Sequence, residues 1–446
     1  MKKALATILA LVMAIGVTTT AWAEGEGTTA NVAKIGETGY ATLAEAITAA
    51  ADGDTIKLLA NVEASNYTEI RKALTIDFNG CTMTSTDGGF DVYSNLTLKN
   101  GTLNALKWGA WVQSGAKLVI AEDMTINTTS TDGNKGGITV QNSGSEVTVY
   151  GKVKAAGGAA ISGIGNASDG GIIINIEEGA EVTCTNPDGL GVYYPNTAKL
   201  NIKGGTITGA SGVYVKSGAV SVTGGKIVAT GAKVDYQYYG NGGHSTGEAL
   251  VIDKCNYPGG DPTVSITGGT FTSTNAKAVG SYVGNGAAEP VTAFVTGGTF
   301  SSDVSDYVAG DTPVAFTPNE DGYNEDGYYV GEETIQNVAN NLSAGQKLVI
   351  KKGNVTLTDV PAGVIVRPGA GTVVVNGKDI SGNLYTDGYT VPARYYYYNS
   401  TTTTTDTKTD GTKGSPKTFD AGIALYVGMA LTSAAGVAFV GKKRED

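Results

Sequence analysis

Cysteine, histidine and arginine are all scarce in this sequence, and each scarcity closes a class of chemistry. The three cysteines, Cys81, Cys184 and Cys255, lie far apart with no Cys-x-x-Cys spacing, and an odd number cannot pair completely within one chain. Small exported disulfide scaffolds are cysteine-dense, so each thiol reads as a buried structural residue. His244 is the single imidazole and no thiolate cluster accompanies it, which leaves no zinc ligand set. No arginine occurs between residues 72 and 366. Charge is also sparse, at 16% of 446 residues, with 31 basic against 42 acidic side chains. That acidic balance disfavours nucleic acid and anionic lipid as partners.

What the chain has in abundance is glycine, with 65 residues, and 41% of the sequence is apolar. Collagen is excluded because glycine does not recur at every third position, and disorder because apolar residues are plentiful and charges few. Glycine mixed with Thr, Val and Ile points to many short strands punctuated by turns, in one long repetitive body.

The two ends read as processing segments. Lys2 and Lys3 precede an uncharged run over 4–17, and Ala21-Trp22-Ala23 supplies the small-x-small site of a signal peptidase, so residues 1–23 form a signal peptide and Glu24 becomes the new N-terminus. About 14 apolar residues are too few to span a bilayer as an anchor. At the other end, 421–440 carries no charge and is followed by Lys442, Lys443 and Arg444. That length spans a membrane as a helix, with the basic tail held on the cytoplasmic side.

Immediately before this span stands Ser415-Pro416-Lys417-Thr418-Phe419, preceded by a threonine-rich linker over 395–414. The order of polar spacer, Pro-x-Thr pentapeptide, apolar span and basic tail over 415–446 resembles the cell-wall sorting signal of Gram-positive surface proteins. The resemblance implies that a sortase cleaves after Thr418 and joins its carboxyl group to peptidoglycan, with Pro416 kinking the substrate. Ser415 replaces the usual Leu and Phe419 the usual Gly. A plain C-terminal transmembrane anchor is the alternative, and either way the body lies outside the membrane. Both cleavages together discard five basic and three acidic side chains and leave 26 against 39, a net charge of about −13. Such a surface is compatible with neutral glycans or basic proteins.

The body opens with a cap over 24–68. Thr42-Leu43-Ala44-Glu45 reads as a capping box, and Leu43, Ala46, Ile47 and Ala50 share a helical face, which predicts a short amphipathic helix over 42–51. Beyond it the sequence becomes periodic. Lys203-Gly204-Gly205-Thr206-Ile207 returns as Thr223-Gly224-Gly225-Lys226-Ile227, Thr267-Gly268-Gly269-Thr270-Phe271 and Thr296-Gly297-Gly298-Thr299-Phe300. A second segment follows a glycine in each unit, as in Gly89-Phe90-Asp91-Val92, Gly109-Ala110-Trp111-Val112 and Gly212-Val213-Tyr214-Val215. Repeats of 20–29 residues with short strands specify a β-solenoid rather than a helical array. Alternation places Phe90, Val92, Ala110, Val112, Ile138, Val140, Val192, Tyr194, Val213 and Val215 inside. We therefore expect an all-β fold: a right-handed parallel β-helix over 69–330, closed by the N-terminal helix, with about nine coils and a length of roughly 43 Å at about 4.8 Å per rung. Strand-like runs at 347–350, 355–357, 364–366 and 372–375, with a helix near 333–342, form a small β module or a distorted C-terminal cap over 331–394.

Residues 32–330 resemble the pectate-lyase-like β-helix superfamily, and more closely the Gly-Gly-Thr-Phe repeats of bacterial surface proteins. The fold alone does not decide function. A pectate lyase uses an Arg or Lys base beside calcium-binding carboxylates, and the arginine is missing. Polygalacturonase-type hydrolases need three Asp and a Gly-His-Gly element, echoed only in part by Thr131-Asp132-Gly133 and Gly242-Gly243-His244-Ser245. Asp91, Asp169, Asp188, Asp235 and Glu248 are the acids from which a glycosidase pair would have to be drawn. The acidic turns at Asp52-Gly53-Asp54 and Glu320-Asp321-Gly322 lack the ligand spacing of a calcium loop.

Binding has the better sequence support. The outward column of the second segments reads Asp91, Trp111, Thr139, Ala160, Tyr193 and Tyr214, so Trp111, Tyr193 and Tyr214 are expected to form an exposed aromatic ridge for sugar rings or a protein hot spot. Stacking between rungs without any ligand is the competing account. The insertion over 231–247, with Tyr236, Tyr238 and Tyr239 and with Tyr257 after it, is a second binding candidate, expected as a mobile loop projecting from the rod and leaving His244 in solvent. The sequence thus predicts a non-enzymatic surface protein with no cofactor, presenting a rigid solenoid for adhesion or recognition of a glycan or protein. A wall-attached polysaccharide lyase or glycoside hydrolase is the alternative.

Overall fold

The computed structural model describes residues 30–165, 171–240, 242–318, 325–382 and 387–393. Ala21, Ala23 and Glu24 of the expected signal-peptide site, Ser415, Pro416, Lys417, Thr418 and Phe419 of the expected sorting motif and the apolar span 421–440 lie outside them, as does Asp169. Among the described residues no helix is long and apolar enough to cross a membrane.

The chain opens with a hairpin, Ala33–Ile35 and Thr38–Tyr40, followed by helix α1, Leu43–Ala49. Thr42 caps this helix: its hydroxyl accepts from Glu45 N at 3.1 Å, and the Glu45 carboxylate accepts from Ala41 N at 3.1 Å. One orphan amide of the first turn, Glu45 N, and that of Ala41 just before the cap are thereby satisfied. Leu43 and Ala46 face the core, so the helix covers the apolar end of the body.

From Thr55 the chain winds through three parallel sheets in strict rotation. Thr55–Leu58 opens the first sheet, Val62–Ala64 the second and Thr68–Ile70 the third, and Leu74–Asp77 returns to pair with Thr55–Leu58. The last complete coil contributes Thr263–Ile266, Thr270–Ser273 and Val279–Val283. The result is a β-solenoid whose first coil begins at Thr55, inside the segment that the sequence assigns to the cap. Thr55-Ile56-Lys57-Leu58 alternates out, in, out, in, with Ile56 and Leu58 fully buried, and so behaves as a rung.

The inward positions expected from alternation are all buried, from Phe90 and Val92 to Val213 and Val215. Burying one such side chain contributes about 1.5–3 kcal/mol. The corners explain the glycine pairs. The second member adopts positive φ, 70° at Gly205 and 82° at Gly225, which L side chains rarely adopt. The first member lies against the rung below: a Cβ on Gly224 would stand 2.4 Å from the Lys203 carbonyl oxygen, and one on Gly268 2.5 Å from that of Thr223.

Past Phe300 the direction changes. Glu325–Val330 pairs antiparallel with Gly298–Phe300, and Val314–Pro318, Lys347–Lys352, Ile365–Arg367 and Tyr389–Thr390 extend the same second sheet. Helix α2, Glu332–Asn341, buries Ile335 and Ala339 in a second apolar cluster with Leu348, Ile350 and Val366. This region is both a cap, by continuity of the sheet, and a small module, by possession of its own core.

Candidate functional site

The outer face of the third sheet carries the candidate residues, and the structure divides it in two. Cross-strand register sets the column as Glu69, Asp91, Trp111, Thr139, Ser162, Tyr193, Tyr214 and Val251. Ser162, not Ala160, is the outward residue of its rung. Ala160 is fully buried, because Ile161 pairs with Ile138 and fixes the phase of that strand.

The ridge of three exposed aromatics is not formed. Tyr214 is fully buried and Tyr193 packs with it, their rings 6.1 Å apart, in an apolar cluster with Ala159, Leu190 and Val251. The cover is the insertion itself. A Cβ on Gly243 would lie 2.8 Å from Leu190 and 3.1 Å from Tyr193, and the Tyr236 ring stacks on Tyr282 at 4.6 Å with an interplanar angle of 3°. His244 is half-buried and stacked on Tyr239 at 5.2 Å, rather than free in solvent. The insertion therefore lies down on the sheet as a roof. Aromatic rings and glycines let it approach closely, and the same composition reads as a projecting loop when the sheet beneath is not in view.

Under the roof lies a polar cluster that the sequence did not single out. Lys216 and Asp253 are fully buried with Nζ and Oδ2 3.6 Å apart. The two Asp253 oxygens accept the Tyr214 hydroxyl at 2.8 Å and the Tyr236 hydroxyl at 2.7 Å, and Lys216 donates to the Tyr239 carbonyl oxygen. Burial, and next to it the Asp253 charge, raises the Tyr214 phenol far above its ordinary value. The Cys255 thiol is pushed up to about 12, mainly by burial and secondarily by Asp253. Glu248 is also buried and accepts the Tyr282 hydroxyl at 2.6 Å. Asp188 and Asp235 are exposed. This cluster holds the insertion to the sheet, and beside it the Tyr193 hydroxyl and Glu248 Oε2 are buried without a hydrogen bond.

Trp111 belongs to the other half, over the first four rungs, where among the described residues the 231–247 insertion does not reach. A cavity of about 290 Å³ is lined there by Tyr67, Asp91, Trp108, Trp111, Gln113 and Gln141. Trp108 and Trp111 meet edge to face at 4.9 Å and 64°, and Tyr67 lies 6.4 Å from Trp108. The polar floor is a relay along neighbouring rungs. Gln141 Nε2 donates to Gln113 Oε1 at 3.0 Å, Gln113 Nε2 donates to Asp91 Oδ1, and the Tyr93 hydroxyl donates to Asp91 Oδ2 at 2.9 Å. Lys135 Nζ sits 4.1 Å over the Trp108 ring.

Two donors at this cavity are unspent. Trp111 Nε1 and the Tyr67 hydroxyl are sealed from solvent and make no hydrogen bond. Burial is the main cause that raises the Tyr67 phenol, followed by Asp87 and Asp91, so the hydroxyl stays protonated as a donor. A buried polar group without a partner costs about 1–3 kcal/mol. Native proteins keep few of them without a functional reason.

Of the three residues expected in the ridge, one lines this cavity. Tyr67, Trp108, Gln113 and Gln141 were missed, although Gln113 and Gln141 each stand four positions after the glycine of successive repeats, Gly109 and Gly137. That common spacing carried the signal. Among the acidic turns, Asp54 Oδ2 accepts from Ala51 N at 2.8 Å, which is turn chemistry, and Asp52 Oδ1 accepts from Ala73 N of the next coil at 2.7 Å. No family model, curated protein or solved structure matches the chain.

Proposed function

We propose that this chain is a non-enzymatic surface protein of a Gram-positive bacterium, exported by residues 1–23, joined by a sortase to peptidoglycan through Thr418, and recognising an external ligand at the Tyr67–Trp108–Trp111 cavity. The body, with its coils wound right-handed, acts as a stiff spacer that carries the cavity away from the wall. The observation that carries the recognition reading is the pair of unspent donors, Trp111 Nε1–H and Tyr67 O–H, at an aromatic cavity on an uncovered sheet face. Aromatic rings on a rigid sheet offer large contact area at little entropic cost.

The non-catalytic reading rests on Asp91. Hydrolysis of a glycoside needs two carboxyl groups, one to donate a proton and one to attack or to activate water. Asp91 is the single carboxylate lining the cavity, and its two oxygens already accept from Tyr93 and Gln113.

The test is an array of glycans and host or bacterial proteins probed with the purified chain and its Trp108→Ala variant, with product masses recorded. The expected result is retained ligand without cleavage, lost in the variant. Equal retention by the variant would place recognition elsewhere, and cleavage products would restore the hydrolase or lyase alternative.

A further inference from the structure

The charges around the cavity narrow the ligand beyond recognition in general. Glu69 is paired with Arg71 at 2.9 Å, Asp87 with Lys107 at 2.8 Å and Asp132 with Lys135 at 4.0 Å. Each neighbouring acid thus has its own cation. Asp91 differs, because the hydrogen bonds it receives come from neutral groups, Tyr93 and Gln113. Counted together, four acids, Glu69, Asp87, Asp91 and Asp132, face three cations, Arg71, Lys107 and Lys135, and the Arg71 guanidinium also interacts with Asp91, so the surroundings of the two tryptophan rings carry a net charge of −1.

From this we infer that the ligand is a neutral pyranose, a glycan unit carrying hydroxyls and no carboxylate. The inference rests on the recognition reading above and deepens it at the same site. Trp108 and Trp111, set at 64° to each other, form two walls of a corner in which the C–H face of a sugar ring covers one indole while its edge meets the other. Sugar hydroxyls both accept and donate. They accept from Trp111 Nε1–H and Tyr67 O–H, and they donate to the outer lone pairs of Asp91 and the Gln141 carbonyl. Neither unspent donor touches solvent as the rings stand, so recognition through either one requires a ring to turn. An anionic sugar, a uronate or a sialate, would place a second negative charge beside Asp91 in a site walled by low-dielectric aromatic groups. Arg71, Lys107 and Lys135 each already stand beside an acid, so a second negative charge would be only partly compensated. Selection thus comes from repulsion as well as from contact.

Intrinsic fluorescence reads the site directly, since Trp108 and Trp111 are two of only three tryptophans and Trp22 lies in the segment assigned to the signal peptide. The purified chain is titrated with neutral oligosaccharides of glucose, galactose, mannose and N-acetylglucosamine, and separately with oligogalacturonate and sialyllactose. The expected result is a saturable spectral change with at least one neutral sugar, and at least tenfold weaker binding of both anionic ones. Tyr67→Phe keeps the ring and removes its donor, and Trp111→Phe removes the other donor with a smaller ring in place, so each is expected to weaken binding about three- to tenfold, Tyr67→Phe with a melting temperature equal to or above that of the parent. Asp91→Asn is expected to narrow the gap between neutral and anionic sugars. Tighter binding of an anionic sugar overturns the inference and leaves the recognition reading standing. So does a Trp108-dependent protein ligand with no response to sugar. No Trp108-dependent ligand of any class sinks both.

Discussion

The Tyr214 hydroxyl donates to Asp253 at 2.8 Å across neighbouring rungs, inside a space the insertion has closed. Lys216 lies on the other side of the same carboxylate, so one buried acid holds a cation, two phenols and, through them, the roof. Removing the carboxylate leaves the ammonium buried without a counter-charge. Asp253→Ala is therefore expected to cost about 3–5 kcal/mol. Tyr214→Phe, which deletes one hydrogen bond to a charged group, is expected to cost about 1.5–3 kcal/mol. The double change Lys216→Met, Asp253→Leu should recover the part of the loss that comes from the unpaired ammonium, while the Tyr214 and Tyr236 hydroxyls stay without their acceptor, and denaturant melts of the three proteins measure it. A Lys216→Met, Asp253→Leu protein no more stable than Asp253→Ala would show that the pair does more than neutralise itself.

Stability should fall steeply in alkali. Burial raises the Tyr193, Tyr194 and Tyr214 phenols well above their ordinary 10.0, and Cys255 from 9.0 to about 12. The folded chain thus holds these protons more tightly than the unfolded one. The contribution is complete below the unfolded values and disappears as pH rises from about 9 towards the folded ones. Melting temperature against pH is the measurement, and phenolate absorbance should rise with unfolding rather than ahead of it.

The thiols offer a third check. Cys184 and Cys255 are buried with raised pKa, mainly through desolvation, and Cys184 Sγ donates to the Gly157 carbonyl oxygen at 3.1 Å. Alkylation requires the thiolate. At pH 8 both residues should resist iodoacetamide in the folded chain and react on unfolding, as peptide masses will show. Modification of Cys255 at the rate of a free thiol would mean that the roof opens readily.

The C-terminal region has a protective role open to test. Glu325–Val330 covers the edge that Gly298–Phe300 would otherwise present. An uncovered, flat edge pairs with other chains. A chain ending after Phe300 is expected to aggregate at concentrations where the full chain stays monodisperse by light scattering.

The sequence by itself determined the solenoid. Its alternation fixed which side chains point inward, because a two-residue period admits one phase per strand, and Phe90, Val112 and Val213 are buried as that phase requires. Capping chemistry fixed α1 through Thr42 and Glu45, a contact between residues three apart. Glycine pairs fixed the corners, where positive φ and close rungs both demand them. What only the tertiary structure decided is the fate of the outer face. Trp111, Tyr193 and Tyr214 occupy the same place in the repeat, yet one lines an open cavity and the other two lie under a roof. The difference is made by an insertion that begins 17 residues after Tyr214 and 38 after Tyr193, and by partners on other rungs, such as Tyr67, 44 positions before Trp111. Repeat phase states which face a side chain takes; coverage depends on which distant segment folds back over that face, and the local pattern holds no record of it.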